Sequence, residues 1–332
     1  MPDRSVATCG ISVIIPVYNE LDSLELLTRR TMTALSIFEN PEIIFVNDGS
    51  TDGSLEKIRE LVSQNPKSIK MVSFRRNFGK SLALRAGFDR AKGQYVAMMD
   101  ADLQDQPEEI PRLINHLNTQ GLDVVTGWKK QRMDPWSKTI PSKFFNGLLG
   151  HFTGLSIHDF NCGIKVFKKE CLKSLLLYGH LHRFILVLLS NKGFRIGEME
   201  VDHAPRQFGQ SKYGVERIYY GSMDILSVFF LTRYVESPLY FFGLYGLSAI
   251  MLGIPIGIFF IAMHFISFFT GNRDMRLHKH PLWFTSPILL LIGLVIIFFG
   301  LIGELITYYM MAQNPSRDLI REELGFDGET LS

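Results

Sequence analysis

Met98-Met99-Asp100-Ala101-Asp102-Leu103-Gln104-Asp105-Gln106-Pro107 is the stretch from which the rest of the chain can be read. It follows an apolar run, Tyr95 to Met99, that predicts a buried strand. Asp100 and Asp102 are two apart, so in extended backbone their carboxylates share a face. With Gln104 two further on they form a hard, all-oxygen donor set suited to Mg²⁺ or Mn²⁺. Pro107-Glu108-Glu109 reads as a first helical turn. Acids at the carboxyl end of a strand, in a loop entering a helix, occupy the place where α/β sheets bind phosphates. On these residues alone an acidic turn whose aspartates cap the next helix is an open alternative.

Upstream, the same strand-loop-helix unit recurs. Ile11 to Val17 is apolar without alternation, the pattern of a strand covered on both faces. Asn19-Glu20 and an amphipathic helix from Leu21 to Ile37 follow. Glu42 to Val46 predicts a second strand, ending in the loop Asn47-Asp48-Gly49-Ser50-Thr51-Asp52-Gly53 before a helix over 54–63. Ile69 to Phe74 predicts a third strand, and Arg75 to Lys80 lead into a helix over 81–91. Downstream, Pro107 to Gln120 reads as a helix and Asp123 to Gly127 as a fifth strand. This alternation predicts a mostly parallel sheet with helices on both faces, its loops opening on one edge. No G-x-G-x-x-G or P-loop is present, which argues against a dinucleotide enzyme and a P-loop NTPase.

At 332 residues the chain is long enough for about two domains. Its net charge of +2, without a long basic run, gives no footprint for nucleic acid. Cys9, Cys162 and Cys171 lack metal-ligand spacing and fit a reducing compartment. Ser237 to Asn272 and Pro281 to Gly303 contain no Asp, Glu, Lys or Arg. Each run exceeds the ~20 residues that cross a bilayer, so a transmembrane hairpin is expected over 237–311. Met1 to Gly10 is polar and lacks a signal-peptide pattern. A cytosolic domain over 1–215 and a cytosolic tail over 312–332 are therefore expected, at what is read as a bacterial inner membrane. Flanking charges leave the orientation nearly balanced, with Arg273, Arg276 and Lys279 outside against Arg233, Arg317 and Arg321 inside. Aromatic and basic residues mixed over 136–155, and Ile218 to Tyr234 within 216–236, read as interfacial helices.

Pro16-Val17-Tyr18-Asn19-Glu20, Asn47 to Asp52, Asp100-Ala101-Asp102 and Ser211-Lys212-Tyr213-Gly214 together resemble family 2 glycosyltransferases of the GT-A fold, more narrowly the polyisoprenyl-phosphate glycosyltransferases. The resemblance implies a nucleotide-sugar donor, a polyisoprenyl phosphate acceptor and a Rossmann-like GT-A domain. It places Pro16, Tyr18, Glu20 and Asp48 on the nucleoside, with Lys80 and Ala101 in the nucleotide-sugar set. Asp100, Asp102 and Gln104 would hold Mg²⁺ or Mn²⁺ with the diphosphate. Asp102 and Asp159 would stand at the reacting centre, and Arg206, Ser211 and Lys212 in the acceptor loop. Lys129, Arg132, Lys143, Arg206 and Ser211 are the candidates for drawing in the anionic acceptor. UDP-glucose is the first expectation for the donor; GDP-mannose and a UDP-aminopentose remain alternatives. So do a processive polysaccharide synthase, although its Q-x-x-R-W motif is missing, and a catalytically inactive scaffold or sensor. A homo-oligomer through the tail is left open.

Overall fold

The computed structural model describes residues 10–130, 155–173, 175–202, 230, 233–234, 237–271 and 280–313. The chain divides into two compact units, Met1–Val228 and Phe229–Ser332.

In the first unit the described elements run β1 (Gly10–Val17), α1 (Leu21–Leu35), β2 (Glu39–Asn47), α2 (Ser54–Gln64), β3 (Ile69–Ser73), α3 (Lys80–Phe88), β4 (Tyr95–Met98), a 3₁₀ turn (Pro107–Glu109), α4 (Ile110–Thr119), β5 (Val124–Trp128), β6 (Lys165–Lys168), α5 (Lys169–Lys173), a 3₁₀ turn (Leu181–Phe184), α6 (Ile185–Asn191) and β7 (Ile196–Glu200). Ile11, Val13, Ile14, Ile15 and Val17 of β1 are all fully buried, as a strand covered on both faces requires. Helix α1 buries Leu24, Leu27, Thr28, Thr31 and Leu35, the i, i+3, i+4, i+7 stripe of an amphipathic helix. Helix α4 repeats it with Ile110, Leu113, Ile114 and Leu117.

The seven strands are ordered β3-β2-β1-β4-β6-β5-β7. β1 pairs in parallel with β2 and with β4, and β2 with β3. The expected succession of parallel strands ends there. β6 lies antiparallel between β4 and β5, and β5 pairs in parallel with β7. Neither β6 nor β7 shows as an apolar run. β6 is Lys-Val-Phe-Lys, with its first lysine buried, and β7 is the half-polar Ile-Gly-Glu-Met-Glu.

The inserted strand is tied in by one carboxylate. Asp123 accepts from Lys168 Nζ at 2.8 Å and from the Arg195 backbone N–H at 2.9 Å, with the Arg195 guanidinium at 3.1 Å. These bonds join the start of β5 to the end of β6 and the approach to β7. Burial would raise the Asp123 carboxyl, but Arg195 and Lys168 outweigh it and hold the group well below the usual carboxylate range.

The second unit contains α7 (Pro238–Thr270) and α8 (Thr285–Gln313), preceded by a 3₁₀ turn (Pro281–Phe284). Pro238–Thr270 and Pro281–Tyr309 are each long and apolar enough to cross a membrane. They pack antiparallel along small residues. A Cβ on Gly246 would stand 2.7 Å from the Gly293 carbonyl oxygen, one on Gly257 2.5 Å from Ser286 Oγ, and one on Gly303 2.8 Å from Pro238. Small side chains let backbones approach where lipid offers no hydrophobic drive. Glu304 Oε2 accepts the Leu239 N–H at 3.2 Å. The acid near the end of one helix thus caps the first turn of the other, which satisfies an otherwise orphaned donor.

A carboxyl whose pKa is depressed by folding adds stability above its unfolded value, and loses it as pH falls through the folded one. Asp123→Asn should therefore lower stability at pH 7 by about 1–3 kcal/mol. The gap to the unsubstituted protein should narrow below about pH 4. Thermal midpoints across pH check this, and a gap constant into the acid range would contradict it.

Candidate active site

The strand order makes the site's location a matter of topology. From β1 the sheet extends one way through β2 and β3 and the other way through β4. The crevice between the carboxyl ends of β1 and β4 is thus a topological switch point, where open α/β sheets bind ligands.

Three loops at this edge are clasped together. The Asn19 N–H donates to Ser50 Oγ at 3.0 Å, and the Thr51 N–H to Asn19 Oδ1 at 2.8 Å. The Glu20 N–H donates to Ser54 Oγ at 3.1 Å, and the Leu21 N–H to Asp52 Oδ2 at 3.2 Å. Asn19 adopts φ 56°, a left-handed conformation that asparagine tolerates. Asp48 accepts the Phe78 N–H at 2.7 Å and the Gly79 N–H at 2.9 Å, one on each oxygen. Burial pushes its carboxyl up despite those bonds. Gly49, at φ 71°, lies so close beneath this loop that a Cβ would meet the Arg76 carbonyl carbon at 2.4 Å.

The acidic loop departs from extended geometry. β4 ends at Met98, residues 101–102 form a turn, and the buried Leu103 takes φ 62°. The two carboxylates are therefore placed by a turn rather than by the pleat of a strand. Asp102, 7% exposed, accepts the Gln104 N–H at 3.2 Å, an Asx-type turn. Asp100 is ion-paired with Lys80 at the start of α3. Desolvation would raise Asp100, but Lys80, and then Lys129, overcome it and hold the carboxyl below its ordinary value. Asp105 is buried and pairs with Lys129 at 2.8 Å. Burial opposes the Lys129 charge, yet Asp105 outweighs it and raises the lysine above its usual pKa.

A second segment closes on these acids. Gly163 packs so tightly that a Cβ there would lie 2.1 Å from Asp105 Oδ2 and 3.0 Å from Asp100 Oδ2. Both carboxylates thus converge on one spot that only a glycine leaves open. Asp159 is buried, and its Oδ1 accepts the Asn161 N–H at 3.2 Å. The preceding His158 stacks on Trp128 with ring centroids 4.3 Å apart. Glu198 holds it through the His158 N–H at 2.8 Å and Nδ1 at 2.5 Å. Lys165 is fully buried and donates to the Cys162 carbonyl, and burial pushes its pKa down. Ser81 Oγ meets His182 Nδ1 at 2.9 Å. His182 is pushed down to about 2 by burial first and then by Lys80 and Arg183, so it is neutral at physiological pH.

Among the expected site residues, Lys80 and Asp100 are in contact, and Ala101, Asp102 and Gln104 share the same loop. Pro16 is the penultimate residue of β1, opposite Val46; Tyr18 is exposed, and Glu20 stands at the N-terminus of α1. Lys129 is turned inward onto Asp105 with its side chain 15% exposed, so its charge is already matched there. Arg132, Lys143, Arg206, Ser211 and Lys212 lie outside the described residues, as do most of 136–155, most of 216–236 and the tail from 314. Asp105, Gly163, Lys165 and His182 were not singled out from sequence. Lys165, flanked by Ile164 on one side and Val166-Phe167 on the other, is the one readable signal of a buried charge.

The donor chemistry suits a divalent cation. Among the described residues no three His, Cys, Asp or Glu side chains form a ready-made metal cluster. Mg²⁺ and similar ions, however, use one or two carboxylates and complete their shell with substrate phosphates and water. Asp100, Asp102 and the Gln104 amide are the residues that could provide such a partial set, and the close packing at Gly163 fixes the Asp100 carboxylate.

Residues 12–176 match the family model for glycosyl transferase family 2. The dodecaprenyl-phosphate galacturonate synthase of Rhizobium johnstonii is 35% identical over 94% of this chain and 92% of its own. The chain belongs to glycosyl transferase family 2. The undecaprenyl-phosphate 4-deoxy-4-formamido-L-arabinose transferase of Edwardsiella ictaluri is 34% identical over 87% of this chain and 84% of its own. Among solved structures, the glucosyl-3-phosphoglycerate synthase of Mycobacterium tuberculosis, in complex with Mn²⁺, UDP and phosphoglyceric acid, aligns with a TM-score of 0.53. It is 20% identical and covers 68% of this chain and 79% of its own. The Pyrobaculum calidifontis mannosyltransferase in complex with GDP-mannose and Mn²⁺ aligns at 0.50, with 20% identity, 70% of this chain and 65% of its own. These likenesses establish the GT-A fold. The chain is a glycosyltransferase, with two candidate membrane helices beyond its catalytic unit.

Gly163→Ala adds one methyl group at the point where Asp100 and Asp105 converge. It should reduce glycosyl transfer by about a hundredfold, as displacements near 1 Å do at a reacting centre. Steady-state rates of the purified variant check this, and turnover at the unsubstituted rate would show that the cradle is immaterial.

Proposed function

We propose that this glycosyltransferase moves a sugar from a nucleoside diphosphate to a polyprenyl phosphate, forming a polyprenyl-phosphate sugar. The observation that carries this reading is the acidic loop at the β1/β4 switch point, with Asp100 paired to Lys80 and Asp102 buried two residues on. Two further facts support the acceptor. Relatives over most of the chain are named for dodecaprenyl- and undecaprenyl-phosphate products. Two helices are long and apolar enough to cross a membrane, and in this reading they tether the enzyme to the bilayer where a polyprenyl chain is confined.

In this reading Asp100, Asp102 and Gln104 hold Mg²⁺ or Mn²⁺. When bound, the cation neutralises the charge that grows on the departing diphosphate. Pro16, Tyr18, Glu20 and Asp48 border the nucleoside; Asp48 acts by fixing the Phe78–Gly79 backbone through its two hydrogen bonds. Ala101, small and buried, lets the loop pass close to the donor. Transfer is a single displacement with inversion. An acceptor phosphate oxygen forms the new bond to the anomeric carbon while the bond to the diphosphate oxygen breaks, its electron pair leaving with the nucleotide. A phosphate monoester has its second pKa near ~6, so the nucleophile is largely ionised at neutral pH. Asp159 then serves chiefly to orient it. Arg206, Ser211 and Lys212 form the acceptor loop, joined at the anionic phosphate by Arg132 and Lys143. The catalytic unit and both termini face the cytosol of a bacterial cell.

UDP-glucose is the donor first expected from sequence. The relatives instead carry galacturonate and formamido-arabinose in their names, and we place UDP-galacturonate first. The test is transfer by the purified full chain from UDP-galacturonate, UDP-formamido-arabinose, UDP-glucose and GDP-mannose to undecaprenyl phosphate, followed as organic-extractable product. One donor should give a lipid-linked sugar, EDTA should abolish it, and added Mn²⁺ or Mg²⁺ should restore it. Lipid product undiminished by EDTA would remove the metal. No lipid product from any donor would overturn the acceptor assignment.

A further inference from the structure

Among the described residues three lysines lie about the acids of this site, and each is committed differently. Lys129 is paired with the buried Asp105. Lys165 lies fully buried on the Cys162 carbonyl. Lys80 alone of the three is paired with Asp100, the carboxylate assigned to the cation. Its root is fixed. Lys80 opens α3, and the two backbone N–H groups just before it, of Phe78 and Gly79, are both held by Asp48. Its ammonium rides on a flexible four-carbon stem and its side chain is 28% exposed, so it can leave Asp100 without moving the helix. Nearby charge favours that departure once a dication is present. Lys129, paired with Asp105, already acts on Asp100 as a second positive charge. An ammonium and a dication on one carboxylate repel each other strongly in a partly desolvated site.

We propose that Lys80 is an exchangeable internal counter-ion: it holds Asp100 while the divalent cation is absent, gives way when the cation binds, and then turns to the diphosphate of the nucleotide. This rests on the metal assignment made above. The exchange breaks no covalent bond. One cation replaces another on a carboxylate, and the displaced positive charge meets an incoming anion. Mn²⁺ binding alone is thereby weakened, and Mn²⁺ and nucleotide bind cooperatively, because the nucleotide takes up the lysine that the cation expels.

The test is direct Mn²⁺ binding, read as free Mn²⁺ by electron paramagnetic resonance on the full chain in detergent, with and without UDP. Lys80→Met and Lys80→Gln should both bind Mn²⁺ about fivefold or more tightly without nucleotide, and the strengthening by UDP should shrink by a similar factor, at the low end of two-ligand couplings. Lys80→Arg, which keeps the charge, should retain the weak Mn²⁺ binding of the unsubstituted chain. Thermal midpoints show which variants are folded. Unchanged or weaker Mn²⁺ binding in both folded neutral variants would overturn the exchange. Asp102→Asn separates the two ideas. If it binds Mn²⁺ as the unsubstituted chain does, the cation is not at these acids and the proposal falls with the metal assignment. If it loses Mn²⁺ while the Lys80 variants are unaltered, only the exchange fails.

Discussion

Crowding of like charge at the carboxyl end of β4 is the constraint that the rest of the catalytic unit answers. Asp100, Asp102 and Asp105 fall within one short loop, and the buried Asp159 lies in the segment that leads to Gly163. Carboxylates this close cannot all remain ionised in a partly dry site without cations. The chain supplies them from three different elements: Lys80 from the start of α3, Lys129 from the end of β5, and Lys165 from β6. Lys80 and Lys129 thereby tie α3 and the end of β5 to the acidic loop, while Lys165, buried on the Cys162 carbonyl, adds its charge from β6. The same charge balance that makes the loop tolerable also makes it responsive to a divalent cation.

The sheet explains why those elements can reach one place. β1 and β4 are neighbours, so the loops after them share a crevice. The antiparallel β6 sits directly beside β4, which brings the segment ending at Gly163 against Asp100 and Asp105. A purely parallel sheet would have placed β5 there instead. The Asp123 linkage to Lys168 and Arg195 holds that insertion in register. In the membrane unit a parallel logic appears at smaller scale: Glu304 satisfies a helix terminus, and small residues let the two helices approach.

Much of this was legible in the sequence because the signals were of the right kind. Short, mainly apolar runs marked β1 to β5, although Lys70 interrupts β3, and uncharged stretches marked α7 and α8. Motif residues at strand ends led to the family before any coordinates. What escaped detection was carried by contacts between distant segments. β6 is short and flanked by lysines, and a buried lysine reads as a surface one until its environment is known. β7 is polar on nearly every other residue. Lys129 reads in the sequence as a charge open to the anionic acceptor, alongside Arg132 and Lys143, but its partner Asp105 belongs to the loop after β4. The paired aspartates were expected on one face of extended backbone, whereas a left-handed Leu103 turns the chain between strand and helix. Propensity offers no forecast of that, since a leucine at positive φ is imposed by tertiary packing.

The most direct measurement is a structure of the full chain determined with Mn²⁺ and UDP, using the anomalous signal of manganese to place the ion. The account predicts one peak in the β1/β4 crevice, about 2.1 Å from oxygens of Asp100 and Asp102, with the diphosphate completing its shell and Lys80 no longer on Asp100. A manganese peak away from these two carboxylates, with the Lys80–Asp100 pair intact beside bound nucleotide, would contradict it.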